Sequence, residues 1–188
     1  MTTQVIQVAA SSDDARENSG TMGLTAPTFN SSGTNQKLGF RFTGVNIAQG
    51  ETVTAATLSF YLTTTAADSP NGATIGMEAA DDAATFTTTT NDITNRTRTS
   101  TVTWSGTDIG TGWHDVDVTT PVQAVVSRGG WVSGNDMAAL LYGVSGTALT
   151  IQAYDGDFSL AAKLTITHTP SGGGGAATKA AYYARARA

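Results

Sequence analysis

The chain contains no cysteine. A disulfide framework and a thiolate-ligated zinc site are therefore both excluded. Charge is scarce: 13% of residues are Asp, Glu, Lys or Arg, against about a quarter in an average soluble domain. Lys, Glu and Leu, the usual material of helices, are few, which argues against a helical bundle or coiled coil. No run of about 18 apolar residues occurs, so no helical membrane span is expected. Positive charge does not dominate either. The formal net charge is −5 and the pI about 4.7, so a sequence-independent grip on nucleic acid phosphates is not expected. The opening Met1-Thr2-Thr3-Gln4-Val5-Ile6-Gln7 has neither a basic nor an apolar leader region. As written, the chain is expected to stay out of the secretory pathway.

What is present points to strands. The 188 residues are 39% hydrophobic, enough for one domain with a real core and too apolar for a charged disordered chain. There are 34 Thr and 21 Gly, and Thr favours β-structure. Residues 56–62 place Ala56, Leu58, Phe60 and Leu62 on one face and Thr57, Ser59 and Tyr61 on the other, the period of a half-buried strand. Similar alternation marks 38–42, 75–79, 101–104, 149–153 and 163–168, with extended candidates at 4–10 and 137–144. Nine or ten short strands between Gly, Asn and Asp turns predict an all-β antiparallel sandwich or jelly roll. One short helix is predicted at about 120–128. A Thr cap, Pro121 in the first turn and Gly129 beyond the end bracket it, and Val122, Val125 and Val126 share a face. A second short turn is predicted near Asn91–Asn95.

Composition divides the chain into a body, 1–170, a Gly-rich hinge, 171–175, and a basic-aromatic tail, 176–188. All 15 acidic residues and seven of the ten basic ones lie in the body, a formal −8. The tail holds Lys179, Arg185 and Arg187, a formal +3. With Tyr182 and Tyr183 these residues form a candidate partner anchor, because Tyr and Arg are enriched at interface hot spots.

Catalytic signatures are missing. There is no phosphate loop, no dinucleotide fingerprint and no Gly-x-Ser-x-Gly. His114 and Asp115 point to opposite faces of one strand, and His168 is read as a solvated residue on the Thr-bearing face of the last strand. No catalytic residue is assigned. The acids suggest a metal instead. Asp13, Asp14 and Glu17 follow the first strand, and Asp155 and Asp157 precede the last. Neighbouring first and last strands would gather them as hard oxygen ligands for a structural Ca²⁺, with two ordinary polar turns as the plainer alternative. Among the tryptophans, Trp113 and Trp131 are read as core, and Trp104 is left as the candidate for stacking on a glycan.

Trp113-His114-Asp115-Val116-Asp117-Val118-Thr119, then Val122-Gln123 and Gly130-Trp131-x-Ser133-Gly134-Asn135, resembles the signature of DNRLRE-type β-sandwich modules, which are similar to carbohydrate-binding modules. Ser11-Ser12-Asp13-Asp14-Ala15, Gly39-Phe40-Arg41-Phe42, Glu78-Ala79-Ala80-Asp81-Asp82 and Ala153-Tyr154-Asp155-Gly156 extend the resemblance over roughly 5–168. It implies a jelly-roll-like, non-catalytic module of the kind appended to large secreted bacterial proteins. A Cys-free, Thr/Gly-rich β protein without an export signal also looks like a bacteriophage virion component, made in the host cytoplasm and released by lysis. The leading expectation is a non-enzymatic capsid decoration or tail or fibre protein. Its partners would be other virion subunits and further copies of itself, not nucleic acid or membrane. The alternative is an extracellular carbohydrate-binding adhesion module that binds surface glycans and is stabilised by calcium.

Overall fold

A computed structural model describes residues 1–64, 72–105 and 110–170. The hinge and tail lie outside the described residues. The described residues form ten strands and two short α-helices: β1 (Thr2–Gln7), β2 (Asp14–Asn18), β3 (Thr21–Gly23), β4 (Thr28–Phe42), β5 (Thr52–Leu62), β6 (Ala73–Glu78), α1 (Asp92–Asn95), β7 (Arg98–Trp104), β8 (Gly112–Asp117), α2 (Thr119–Val126), β9 (Met137–Gln152) and β10 (Lys163–Thr169). The protein is an all-β sandwich of two antiparallel layers with a short helix, as the alternation predicts.

One layer carries β1, β10, β5 and β8 side by side; the other carries β3, β2, β4, β9, β6 and β7. The two are joined where Leu62 pairs with Ile151, so hydrogen bonding runs continuously from one layer to the other. The stretches 137–144 and 149–153, separate in the sequence reading, belong to the single strand β9. β2 and β3 escaped that reading. Asp-Ala-Arg-Glu-Asn has no apolar alternation and is poor in strand formers, and its strand comes from pairing with β4.

The inner faces of the two layers enclose the main core. Leu58, Phe60 and Leu62 of β5 face inward, and Thr57, Ser59 and Tyr61 face out. The Phe60 ring lies 5.0 Å from Phe40 of the opposite layer and stacks on Trp104 at 5.3 Å. A second, smaller core sits on the outside of the β2–β4–β9 layer. There Phe86, from the segment that leads into α1, and Ile93 of α1 cover Ala15, Ala138 and Leu140. β9 therefore buries both faces, Met137, Ala139 and Leu141 inward and Ala138 and Leu140 outward, which explains its unbroken apolar run.

α2 sends Val122, Val125 and Val126 into the main core. Its Gln123 side chain donates to the carbonyl of Glu51 at 3.0 Å and accepts from the N–H of Val53 at 2.7 Å, fixing it to the start of β5. The predicted Thr cap is not used. Asp117 instead accepts the Thr119 N–H at 2.8 Å, while the Thr119 hydroxyl accepts from the N–H of Ala56 at 2.8 Å. The Thr119 hydroxyl foremost, and then the Thr119 N–H, acting as donors to Asp117, hold its carboxyl below the usual range.

Candidate functional site

The acids after β1 and before β10 approach one another, but they do not converge as a set. β1 and β10 are neighbours along their whole length, from Thr2 opposite His168 to Gln7 opposite Lys163. Asp14 is fully buried and accepts the N–H of Tyr154 at 2.7 Å, and the Ser11 hydroxyl donates to Asp155 at 2.7 Å. Asp13 turns away to the Arg41 guanidinium at 2.6 Å, which also pairs with Asp136. Glu17 accepts the N–H of Thr94 at 2.8 Å and faces Lys37 at 3.4 Å. Asp157 accepts the Ser159 N–H and hydroxyl at 2.9 and 2.7 Å and caps a 3-10 turn, Phe158–Leu160. Among the described residues no group of three or more His, Asp or Glu side chains is arranged to hold a metal ion. The juxtaposition affects Asp14 itself. Burial, then the negative charges of Asp155 and Asp13, push its carboxyl up to about 7 against the lowering effect of the Tyr154 N–H. Its Oδ1 has no hydrogen-bond partner among the described residues.

The tryptophans exchange roles relative to the sequence reading. Trp104 is 6% exposed and sandwiched in the core against Phe60, so neither face is open to a sugar. Trp131 is buried as expected and donates its indole N–H to the Ile47 carbonyl at 2.9 Å. Trp113 is 37% exposed, on the outer face of β8. The register sets Tyr61 opposite Trp113, Ser59 opposite Asp115 and Thr57 opposite Asp117, with Lys163 of β10 on the other side of Ser59. Tyr61 meets the indole edge-on at 5.6 Å and 81°, and the Lys163 ammonium lies 3.5 Å from the ring centroid. Ser59 donates to Asp115 at 2.6 Å. Parity along 113–118 carries this signal: Trp113 shares a face with Asp115 and Asp117, not with Val116 and Val118.

His168 corrects a second expectation. It is 5% exposed, and its Nδ1 lies 2.6 Å from the Glu51 carboxylate. It shares parity with Leu164 and Ile166 and so points inward with them, away from Thr165 and Thr167. His114 is half-buried, with Nε2 2.7 Å from the Gly110 carbonyl. Neither histidine is hydrogen-bonded to a hydroxyl among the described residues. A surface cleft of about 410 Å³ is lined by Glu78, Asp92, Asn95, Arg96 and Thr97. Its Arg96 is taken up by Asp92, Glu78 and the carbonyls of Ala84 and Thr85. Lys179, Tyr182, Tyr183, Arg185 and Arg187 lie outside the described residues.

No protein-family model matches the chain, and no curated protein matches it.

Proposed function

We propose that this chain is a non-enzymatic structural component of a bacteriophage virion, a capsid decoration or a tail or fibre part. The β-sandwich is the displayed body, and the C-terminal tail docks it on a neighbouring subunit. The DNRLRE-type reading of the body belongs to the same proposal. The observation that carries it is the break at residue 171, where a body of formal charge −8 gives way to Gly172–Gly175 and a tail of formal charge +3. A four-glycine hinge supplies reach, and Tyr182, Tyr183, Arg185 and Arg187 supply rigid aromatic area and planar charge, the chemistry of an interface anchor. The partner surface would be acidic or rich in carbonyls, and the arrangement would repeat with the symmetry of the particle. Synthesis in the host cytoplasm and release by lysis complete the proposal.

The test is incorporation. Particles purified by density gradient are quantified by mass spectrometry for the full chain, for truncation after Pro170, and for the full-length pair Arg185→Glu/Arg187→Glu. The full chain is expected at fixed stoichiometry and both variants at a tenth of it or less. Undiminished occupancy of the variants refutes the tail anchor, and absence of the full chain from particles refutes the virion role.

A further inference from the structure

We propose that the open edge of β8 is the docking site for the tail of a second copy of this chain, whose residues 182–188 add to the sheet as a parallel strand. The inference rests on the tail-anchor reading above and names the surface that receives the anchor. β8 is an outermost strand: it pairs with β5 on one side and with no strand on the other among the described residues. The N–H of Val118 donates to the Ala56 carbonyl, so Val116 and His114, at the same parity, also turn their backbone groups toward β5. The N–H and C=O groups of Trp113, Asp115 and Asp117 therefore face the open side, and no other segment among the described residues bonds them. Such a row of unpaired backbone groups is a template for a further strand.

Side chains select the occupant. Asp115 and Asp117 are exposed on the outer face of β8, and neither is in an ion pair among the described residues. Two acids in line repel the same edge of another copy and accept a basic strand. The other outermost strands, β1, β3 and β7, carry no acid. The tail has the matching alternation. In Tyr182-Tyr183-Ala184-Arg185-Ala186-Arg187-Ala188 an extended backbone sets Tyr183, Arg185 and Arg187 on one face and the alanines on the other. Docked parallel, Tyr183 lies beside Trp113, Arg185 beside Asp115 and Arg187 beside Asp117, with the same spacing of about 7 Å along both strands. The backbones of Ala184, Ala186 and Ala188 then meet the open groups of β8. Tyr183 takes the flank of Trp113 away from Tyr61, so Lys163 keeps its place over the ring. In the reverse direction the arginines reach the same acids, but Tyr183 falls beyond Asp117, where the chain turns into α2. Direction also sets whose tail it is. Residue 170 leaves beside Thr52, and Trp113 lies opposite Tyr61, about 30 Å away along β5 and several strand spacings across. Residues 171–182 reach at most about 40 Å, and a Gly-rich chain of that length averages about 20 Å. A copy's own tail would be drawn taut, whereas a neighbour's is under no such constraint. The interface is head-to-tail and repeats into a ring or an open array.

The purified full chain, without particles, supplies the test. Sedimentation velocity over a concentration series is expected to show association, and hydrogen exchange at the Asp115 and Asp117 amides is expected to slow as it proceeds. Asp115→Arg alone and Arg185→Asp alone each weaken association about tenfold or more. Mixed in equal amounts, these two variants match charge at both interfaces, and association returns to within about threefold of the parent. That recovery also excludes a folding defect in either variant. Asp115→Arg mixed with Arg187→Asp does not recover, because the register sets Arg187 beside Asp117. Asp115→Asn, which keeps an acceptor for Ser59, weakens association several-fold. A full chain that stays monomeric at every concentration overturns the proposal, as does association indifferent to the charge exchanges. Slow exchange at Asp115 and Asp117 in a monomer assigns the edge to the chain's own tail and likewise overturns it. Incorporation into particles through the tail, with no association of the purified chain, leaves the anchor standing and removes only the β8 edge as its site.

Discussion

A buried carboxyl with one oxygen unpartnered resists ionisation, and Asp14 is placed so that burial and two neighbouring acids act together. The unfolded chain loses this proton near the ordinary 3.8, whereas the folded chain keeps it to about 7. Between those values the native state binds the extra proton, so stability falls as pH rises through the window and the loss is complete above it. The gap corresponds to about 4 kcal/mol as a ceiling. Asp14→Asn keeps an acceptor for the Tyr154 N–H and removes the titration. It is expected to match the parent in urea unfolding at pH 4 and to exceed it by about 2–4 kcal/mol at pH 8. Equal stabilities at pH 8 would remove the argument. Residue-level features were unevenly legible. Strand parity alone places Trp113 on the polar face, Trp104 beside Val102, and His168 with Leu164 and Ile166. Nothing local announces Asp14, because its neighbours Tyr154 and Asp155 arrive from the other end of the chain.

At the scale of elements, the segment between β6 and β7 behaves as a cover for the outer side of one layer. Phe86 presses on Gly39 so closely that a Cβ there would come within 2.4 Å of the ring. Arg96 stacks on Phe86 at 4.3 Å and is tied to Asp92 and Glu78. The ring has little room to yield. Gly39→Ala is therefore expected to lower stability by about 2–3 kcal/mol, read as a drop in the urea midpoint with unchanged slope. An unaltered midpoint would mean that the cover lifts freely. Elements with strict alternation, β5 and β10, were readable from sequence because each has one wet face. β9 was readable as extended but not as continuous, since a strand buried on both sides shows no alternation. α2 was placed within two residues by its valine face. Asp117, whose carboxylate accepts the first helical N–H, was hidden because it also ends a strand.

At the scale of the whole molecule, the fold class followed from Thr content and alternation, while the layer order did not. Which strands become neighbours depends on pairings between segments far apart in sequence, such as β1 with β10 and β4 with β9. One of these pairings decides how the body bears mechanical load. Thr2 lies opposite His168, so residue 1 and residue 170 leave the sandwich at the same end of adjacent strands. Trp113 lies toward the opposite end, beyond the start of β10. Hydrogen bonds in an antiparallel ladder run perpendicular to the strands. Force applied between residues 1 and 170 opens them one after another, like a zipper. Force applied between the Trp113 end and residue 170 runs along β8, β5 and β10 and strains their ladders together in shear. The missing cysteines make the comparison direct, since an introduced thiol is unique. Handles on Thr111→Cys with Pro170→Cys should rupture at several times the force needed for Thr2→Cys with Pro170→Cys. Equal rupture forces would show that the terminal pair does not govern the response. Pulling between the Trp113 end and residue 170 thus loads the ladders of β8, β5 and β10 in shear, and pulling between residues 1 and 170 peels them.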